Sequence, residues 1–125
     1  MLNCKKIRMK KLLLLLFLIP NLVMSENKIG YEMALSSFIN HKNDERVLLQ
    51  VSIIGRTLSW ANSTLIARDK KPIYCKPSDI VLNRYNYVRI LEEFLAKRPD
   101  FVADASTVYL NMAVIFALED KFPCN

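Results

Sequence analysis

The side chains of this chain best suited to chemistry are three cysteines, Cys4, Cys75 and Cys124, and one histidine, His41. Nucleophilic hydrolysis needs a thiolate or an activated hydroxyl beside a histidine base, with a carboxylate to orient that base. Cys75, His41 and Asp44 are the residues that could supply those roles. A zinc site needs three or four converging His, Cys or acidic ligands, and few remain if the cysteines pair. The acid pairs Glu92-Glu93 and Glu119-Asp120 are sequence neighbours. On a helix, neighbours point away from each other, so these read as solvated surface and not as an acid/base couple. A phosphate-cradling loop needs clustered glycines, whereas the two glycines of this chain, Gly30 and Gly55, are isolated. The expectation is therefore no catalytic residue, no metal and no cofactor.

Which thiol chemistry applies depends on the compartment. Met1 to Lys11 carries Lys5, Lys6, Arg8, Lys10 and Lys11 with no acid, and an apolar run from Leu12 to Ile19 follows. Val23-Met24-Ser25 supplies a small residue at a cleavage point. This order is that of a secretory signal peptide over residues 1–25, removed near Ser25. The apolar run is broken at Pro20-Asn21 and falls short of the roughly 20 residues of a membrane-spanning helix, so no permanent membrane anchor is expected. Of eighteen basic residues five leave with this leader, and against twelve acids the net charge falls from +6 to +1. The basic character thus belongs to the leader and gives no case for nucleic-acid binding. Cys4 leaves too. Two cysteines in an exported chain read as one disulfide, Cys75–Cys124.

The remaining segment, residues 26–125, has the size of one domain. So few glycines argue against a hairpin-rich β fold. The composition predicts an all-α fold, a small four-helix bundle stapled by one disulfide, which a core of this size needs. A first helix is expected over Lys28–His41. Asn43 or Asp44 caps a second, whose Val47, Val51, Ile54, Leu58, Ala61 and Leu65 repeat at alternating spacings of four and three. Gly55 beside that stripe suggests close approach by another helix, and Trp60 falls at its edge. Arg68–Ser78 is a proline-containing, basic connection in which Tyr74 and Cys75 tuck inward. Asn83 caps the third helix, with Ser78 as a rival start, and its inner face is Val88, Leu91 and Leu95, widened by Tyr87, Ile90 and Phe94. Pro99 ends it. A fourth starts between Asp100 and Asp104, with Ala105, Val108, Met112 and Ile115 in one row and Tyr109, Ala113 and Phe116 in the next. Trp60, Tyr85, Tyr87 and Tyr109 read as core or dimer contacts, with a ligand pocket as the other reading.

The block from Gly55 to Cys124 resembles the Rap1a/Tai group of type VI secretion immunity proteins. The matching pieces are Tyr74-Cys75-Lys76-Pro77, the helix end Glu93-Phe94-Leu95-Ala96-Lys97-Arg98-Pro99, then Ala117-Leu118 and Phe122-Pro123-Cys124. In the group's pattern a histidine is common where Arg98 stands. Val51-Ser52-Ile53-Ile54-Gly55 looks like a further segment of the group, with Ser52 in place of its tyrosine. A cysteine often found ahead of that segment is absent. The resemblance implies a small helical periplasmic module, often a homodimer. It would bind a peptidoglycan amidase effector and block it sterically, with no activity of its own.

A plug for an enzyme cleft is expected on connections. The contact residues predicted on that basis are Arg68, Asp69, Lys70, Lys71, Ile73 and Tyr74 in the basic loop, and Arg98, Asp100, Phe101 and Asp104 in the turn after the third helix. A different class stays open. A periplasmic acid-stress chaperone of the HdeA kind is also small, helical and singly bridged, and would bind unfolding clients through apolar surface exposed at low pH.

Overall fold

The structure, a computed structural model, describes residues 33–125. The expected signal peptide, and residues 28–32 of the expected first helix, lie outside the described residues. The fold is mostly helical. Five helices are present among the described residues and no strand. They are α1 (Leu35–Asn40), α2 (Glu45–Ala67), α3 (Arg84–Lys97), α4 (Pro99–Ala103) and α5 (Leu110–Lys121).

Local sequence signals set the starts of the two longest. Asp44 accepts the Arg46 N–H at 2.9 Å and caps α2, with Glu45 adding charge in the first turn. Asn83 caps α3 reciprocally: its side chain accepts the Asn86 N–H at 3.0 Å, and the Asn86 side chain accepts the Asn83 N–H at 2.8 Å. α3 stops at Lys97, and Pro99 then opens the short α4, where a missing N–H costs nothing.

Two expectations are corrected. The first described helix begins at Leu35, because Ala34 is extended and bridges Tyr109. The expected fourth helix is divided into α4 and α5, so five helices stand among the described residues. Residues 104–109 leave the helical path to meet the segment before α1. Leu110 donates to the Met33 carbonyl (2.7 Å), Leu35 to Val108 (2.8 Å) and Ser36 to Ala105 (2.9 Å). These non-local bonds satisfy backbone groups that a continuous helix would have paired internally.

The core lies between α2, α3 and α5, with α3 packed most extensively on α5. α3 contributes Tyr87, Ile90, Leu91, Phe94 and Leu95, close to the expected face. α5 contributes Leu110, Ala113, Val114, Ala117 and Leu118, at helical spacing. This face is rotated from the expected rows: Met112 and Phe116 point outward. The last turns of the two helices are joined by Glu93–Lys121 (2.8 Å) and Lys97–Asp120 (2.9 Å), while Phe101 in α4 meets Phe116.

On α2 the expected stripe is buried at Val47 and Val51, half-buried at Ile54 and Leu58, and exposed at Ala61. The inward line continues instead through Ser52, Gly55 and Asn62. α3 comes close at Gly55, for a Cβ built there would lie 2.4 Å from Cδ1 of the Tyr87 ring. The flat ring takes the space that a side chain on α2 would fill.

Candidate functional site

The connection from α2 to α3 is built around two anchors. The first is the end of α2. Asp69 N–H donates to the Ile66 carbonyl (3.1 Å) and Lys70 N–H to the Leu65 carbonyl (2.9 Å), closing the helix with Asp69 at φ 52°. This pair of bonds is a Schellman motif, with aspartate in the left-handed position that glycine favours. The second anchor is Asn62. Its side-chain oxygen accepts N–H groups from Ile73 (2.7 Å) and Tyr74 (3.3 Å), and its NH2 donates to the Tyr74 carbonyl (2.8 Å).

From there the chain meets the end of α5. Cys75 N–H donates to the Phe122 carbonyl (2.8 Å), the Tyr74 and Phe122 rings lie 6.3 Å apart, and the Cys75–Cys124 disulfide closes the contact with Cα atoms 4.9 Å apart. The bridge expected from the cysteine count is thus present. A disulfide fits an oxidising compartment, and among the described residues no helix is long and apolar enough to cross a membrane.

Of the predicted contact residues in this loop, Arg68, Asp69, Lys70 and Lys71 are exposed and Ile73 is half-buried. Arg68, Lys70 and Lys71 hold no ion pair among the described residues. Lys71, Pro72 and Ile73 line a cleft with Glu119, Pro123 and Cys124. Tyr74 is a correction: its side chain is core, 1% exposed, and is not on the contact surface. Burial pushes its phenol up from the usual tyrosine range, against a smaller opposing effect of the nearby Ser59 hydroxyl. Cys75, expected to tuck inward with it, is exposed.

The second predicted group is tied to itself. The Arg98 guanidinium lies 4.6 Å from the Phe101 ring centre and 5.6 Å from that of Phe94. It also grips Asp100 with two bonds, 2.9 and 2.6 Å, which hold the carboxyl below its usual range. Phe101 sits edge-on to both Phe94 (5.1 Å) and Phe116 (5.6 Å). Its half-buried ring fixes α4 on the α3–α5 pair, and Asp104 is exposed beside it. No hydrogen bond, ion pair or ring contact among the described residues links this turn to the basic loop.

The conceivable hydrolytic set is not assembled. Cys75 is bonded to Cys124. Asp44 faces Arg46, whose side-chain hydrogen bonds are the main reason its carboxyl falls to about 2, and His41 is exposed at the end of α1. Among the described residues no three His, Cys, Asp or Glu side chains converge as a metal site would require.

One surface feature lay only partly within the sequence reading. Trp60, placed by its spacing at the edge of the α2 stripe, stands 70% exposed. With Arg56, Ser59, Lys76, Ser78, Ile80, Val81, Leu82 and Tyr87 it lines a cavity of about 280 Å³. Tyr85 and Tyr109 do not line it; both are exposed elsewhere. Trp60 lying just off an apolar stripe was the available signal. The opposite wall, Ile80–Leu82, had none, because nothing local says how a loop folds back on a helix.

No family model, curated protein or solved structure matched this chain in comparison.

Proposed function

We propose that this protein is an exported interaction module that binds a peptidoglycan amidase effector of a type VI secretion system and blocks it sterically. The reading rests on the motif resemblance, and one observation carries it. Tyr74-Cys75-Lys76-Pro77 and Phe122-Pro123-Cys124, the two most specific pieces of that resemblance, are far apart in sequence yet form one element. A disulfide, a backbone hydrogen bond and a ring contact join them. In this reading the pair is a rigid mount, and the cations Arg68, Lys70 and Lys71, which hold no ion pair among the described residues, are with Ile73 what it presents to the effector. The second contact is the turn with Arg98, Asp100, Phe101 and Asp104. The module supplies no chemistry: it fills the cleft of the amidase and excludes the peptide stem of the cell wall. The periplasm is the compartment this requires, and a homodimer fits the resemblance.

The test is co-expression with a peptidoglycan amidase effector of a type VI secretion system, chosen first from the genes beside its own. The expected result is a stable complex that no longer releases peptide from purified peptidoglycan. Full hydrolysis in the presence of excess protein, with no complex on gel filtration, overturns the reading.

A further inference from the structure

The Trp60 cleft has the composition of a docking site. Its walls come from two elements, the outer face of α2 with Arg56, Ser59 and Trp60, and the loop before α3 with Ile80, Val81 and Leu82. Lys76 holds that loop in place. Its ammonium donates to the carbonyls of Pro77 and Ile80, which leaves one of its three N–H groups free. Val81 is 87% exposed and Trp60 70% exposed, so two large apolar side chains face solvent here. Isolated exposed apolar residues are ordinary, but an indole beside a concave apolar wall is the arrangement of an interface anchor.

Size and charge narrow the occupant. About 280 Å³ lies just under the range of roughly 300–1,000 Å³ typical of small-molecule and cofactor pockets. It accommodates one large side chain. The lining holds two cations, Arg56 and Lys76, and no acid. A second copy of this chain docked on the same face about a twofold axis would set these cations against their own copies. An acidic partner would be matched by them.

We propose that this cleft docks a segment of a partner protein that presents one large apolar side chain next to a carboxylate. The apolar side chain enters between Trp60 and the Ile80–Val81 wall, and the carboxylate meets Arg56 and Lys76. This site is separate from the basic loop and does not depend on the amidase reading.

Trp60 is the single tryptophan of the chain, so its emission reports on the cleft alone. The probes are three peptides, N-acetyl-Asp-Phe-Leu-Asp-amide, the charge-reversed N-acetyl-Lys-Phe-Leu-Lys-amide, and N-acetyl-Asp-Ala-Ala-Asp-amide. The first should give a saturable blue shift, and the other two should bind at least about tenfold more weakly, the equivalent of one lost ionic or apolar anchor. Arg56→Glu and Val81→Ser, both at exposed positions, should each weaken the first peptide by a similar factor without moving the thermal midpoint. Equal binding of the acidic and basic peptides, or no saturable change with any of them, overturns the proposal. So does an emission shift that follows protein concentration alone together with dimer formation in sedimentation, which would assign the face to a second copy.

Discussion

The side-chain amide of Asn62 holds the backbone of Tyr74 from both sides, accepting its N–H at 3.3 Å and donating to its carbonyl at 2.8 Å. The same oxygen takes the Ile73 N–H at 2.7 Å. Asn62 is buried, so these groups have no water to fall back on. Asn62→Ala leaves buried backbone donors and an acceptor unpaired, at about 1–3 kcal/mol for each group. The expected loss in urea denaturation is on the order of 3 kcal/mol. Asn62→Asp should be no better, since a carboxylate cannot donate to the Tyr74 carbonyl. A loss under about 0.5 kcal/mol for Asn62→Ala would mean that the loop is held by other contacts.

Gly55→Ala sets two effects against each other. Alanine favours a helix by about 1 kcal/mol over glycine. Its Cβ, however, would fall 2.4–2.6 Å from three atoms of the Tyr87 ring. That ring is in the core, and overpacking there costs roughly 1–3 kcal/mol. The net expectation is destabilisation. In the Tyr87→Leu background the same substitution should be neutral or stabilising, so a double-mutant cycle isolates the clash. Additivity of the two changes would refute the contact as its cause.

What was legible in the sequence is what short-range chemistry decides. Asp44 and Asn83 were readable as caps because each acts on a backbone group two or three residues away. Gly55 was readable as a close approach because a glycine beside an apolar stripe has few other uses. The bridge followed from a count of cysteines once Cys4 was assigned to the leader. The division of the expected fourth helix was not legible, because residues 104–109 are drawn out by Met33–Ser36, about seventy positions earlier. The inward face of α2 was half legible for a related reason. Its second half turns polar at Asn62, and a search for apolar spacing passes over a side chain buried to bind a loop. Tyr74 was expected to tuck inward and does; only its second reading, as a contact residue, is overturned by its burial.

Asp69 adopts φ 52°, where a residue with a Cβ is strained and glycine is not. Asp69→Gly should therefore stabilise the protein, by up to about 1 kcal/mol, and Asp69→Val should destabilise it by at least as much. The position is exposed, so packing contributes little to either change. Thermal unfolding of the pair of variants is the measurement, and an Asp69→Gly midpoint below the parent would contradict this account of the helix end.

The Cys75–Cys124 bond spans 49 positions. The loop entropy removed by such a closure corresponds to roughly 4 kcal/mol. Cys75→Ala, Cys124→Ala and the double variant should lose the same amount, since each removes the one bond. The fold should survive in all three at moderate temperature, because the Cys75 N–H to Phe122 bond and the Asn62 clamp hold the strand of chain without the sulfurs. Equal midpoints for all three variants, well below the parent, with an unchanged helical circular-dichroism spectrum, are the expected result. A double variant much worse than either single would point to a role for the individual thiols.

Three surface carboxylates set the acid response. Asp44 falls to about 2 chiefly through its side-chain hydrogen bonds with Arg46, Glu93 is lowered chiefly by its bond from Lys121, and Asp100 chiefly by Arg98. A carboxylate with a lower pKa folded than unfolded, where aspartate titrates near about 3.9, binds fewer protons in the folded state across the interval between the two values. Stability therefore rises with pH through that interval. The contribution of Asp44 is complete above about pH 4 and is lost as pH falls through about 2. Glu93 and Asp100 are exposed and Asp44 is half-buried at the surface, so each effect is small and salt should weaken it further. The urea midpoint should be level from pH 7 to about 5 and decline below about 4. Asp44→Asn separates the cap from the charge, because asparagine caps a helix about as well and does not titrate. Its midpoint should decline less steeply with acid than that of the parent. An equal slope in the variant would place the acid sensitivity elsewhere. The same titration bears on the acid-chaperone reading, which requires the opened chain at about pH 2–3 to suppress aggregation of a client protein. The immunity reading expects acid to loosen these ion pairs and confer no such activity.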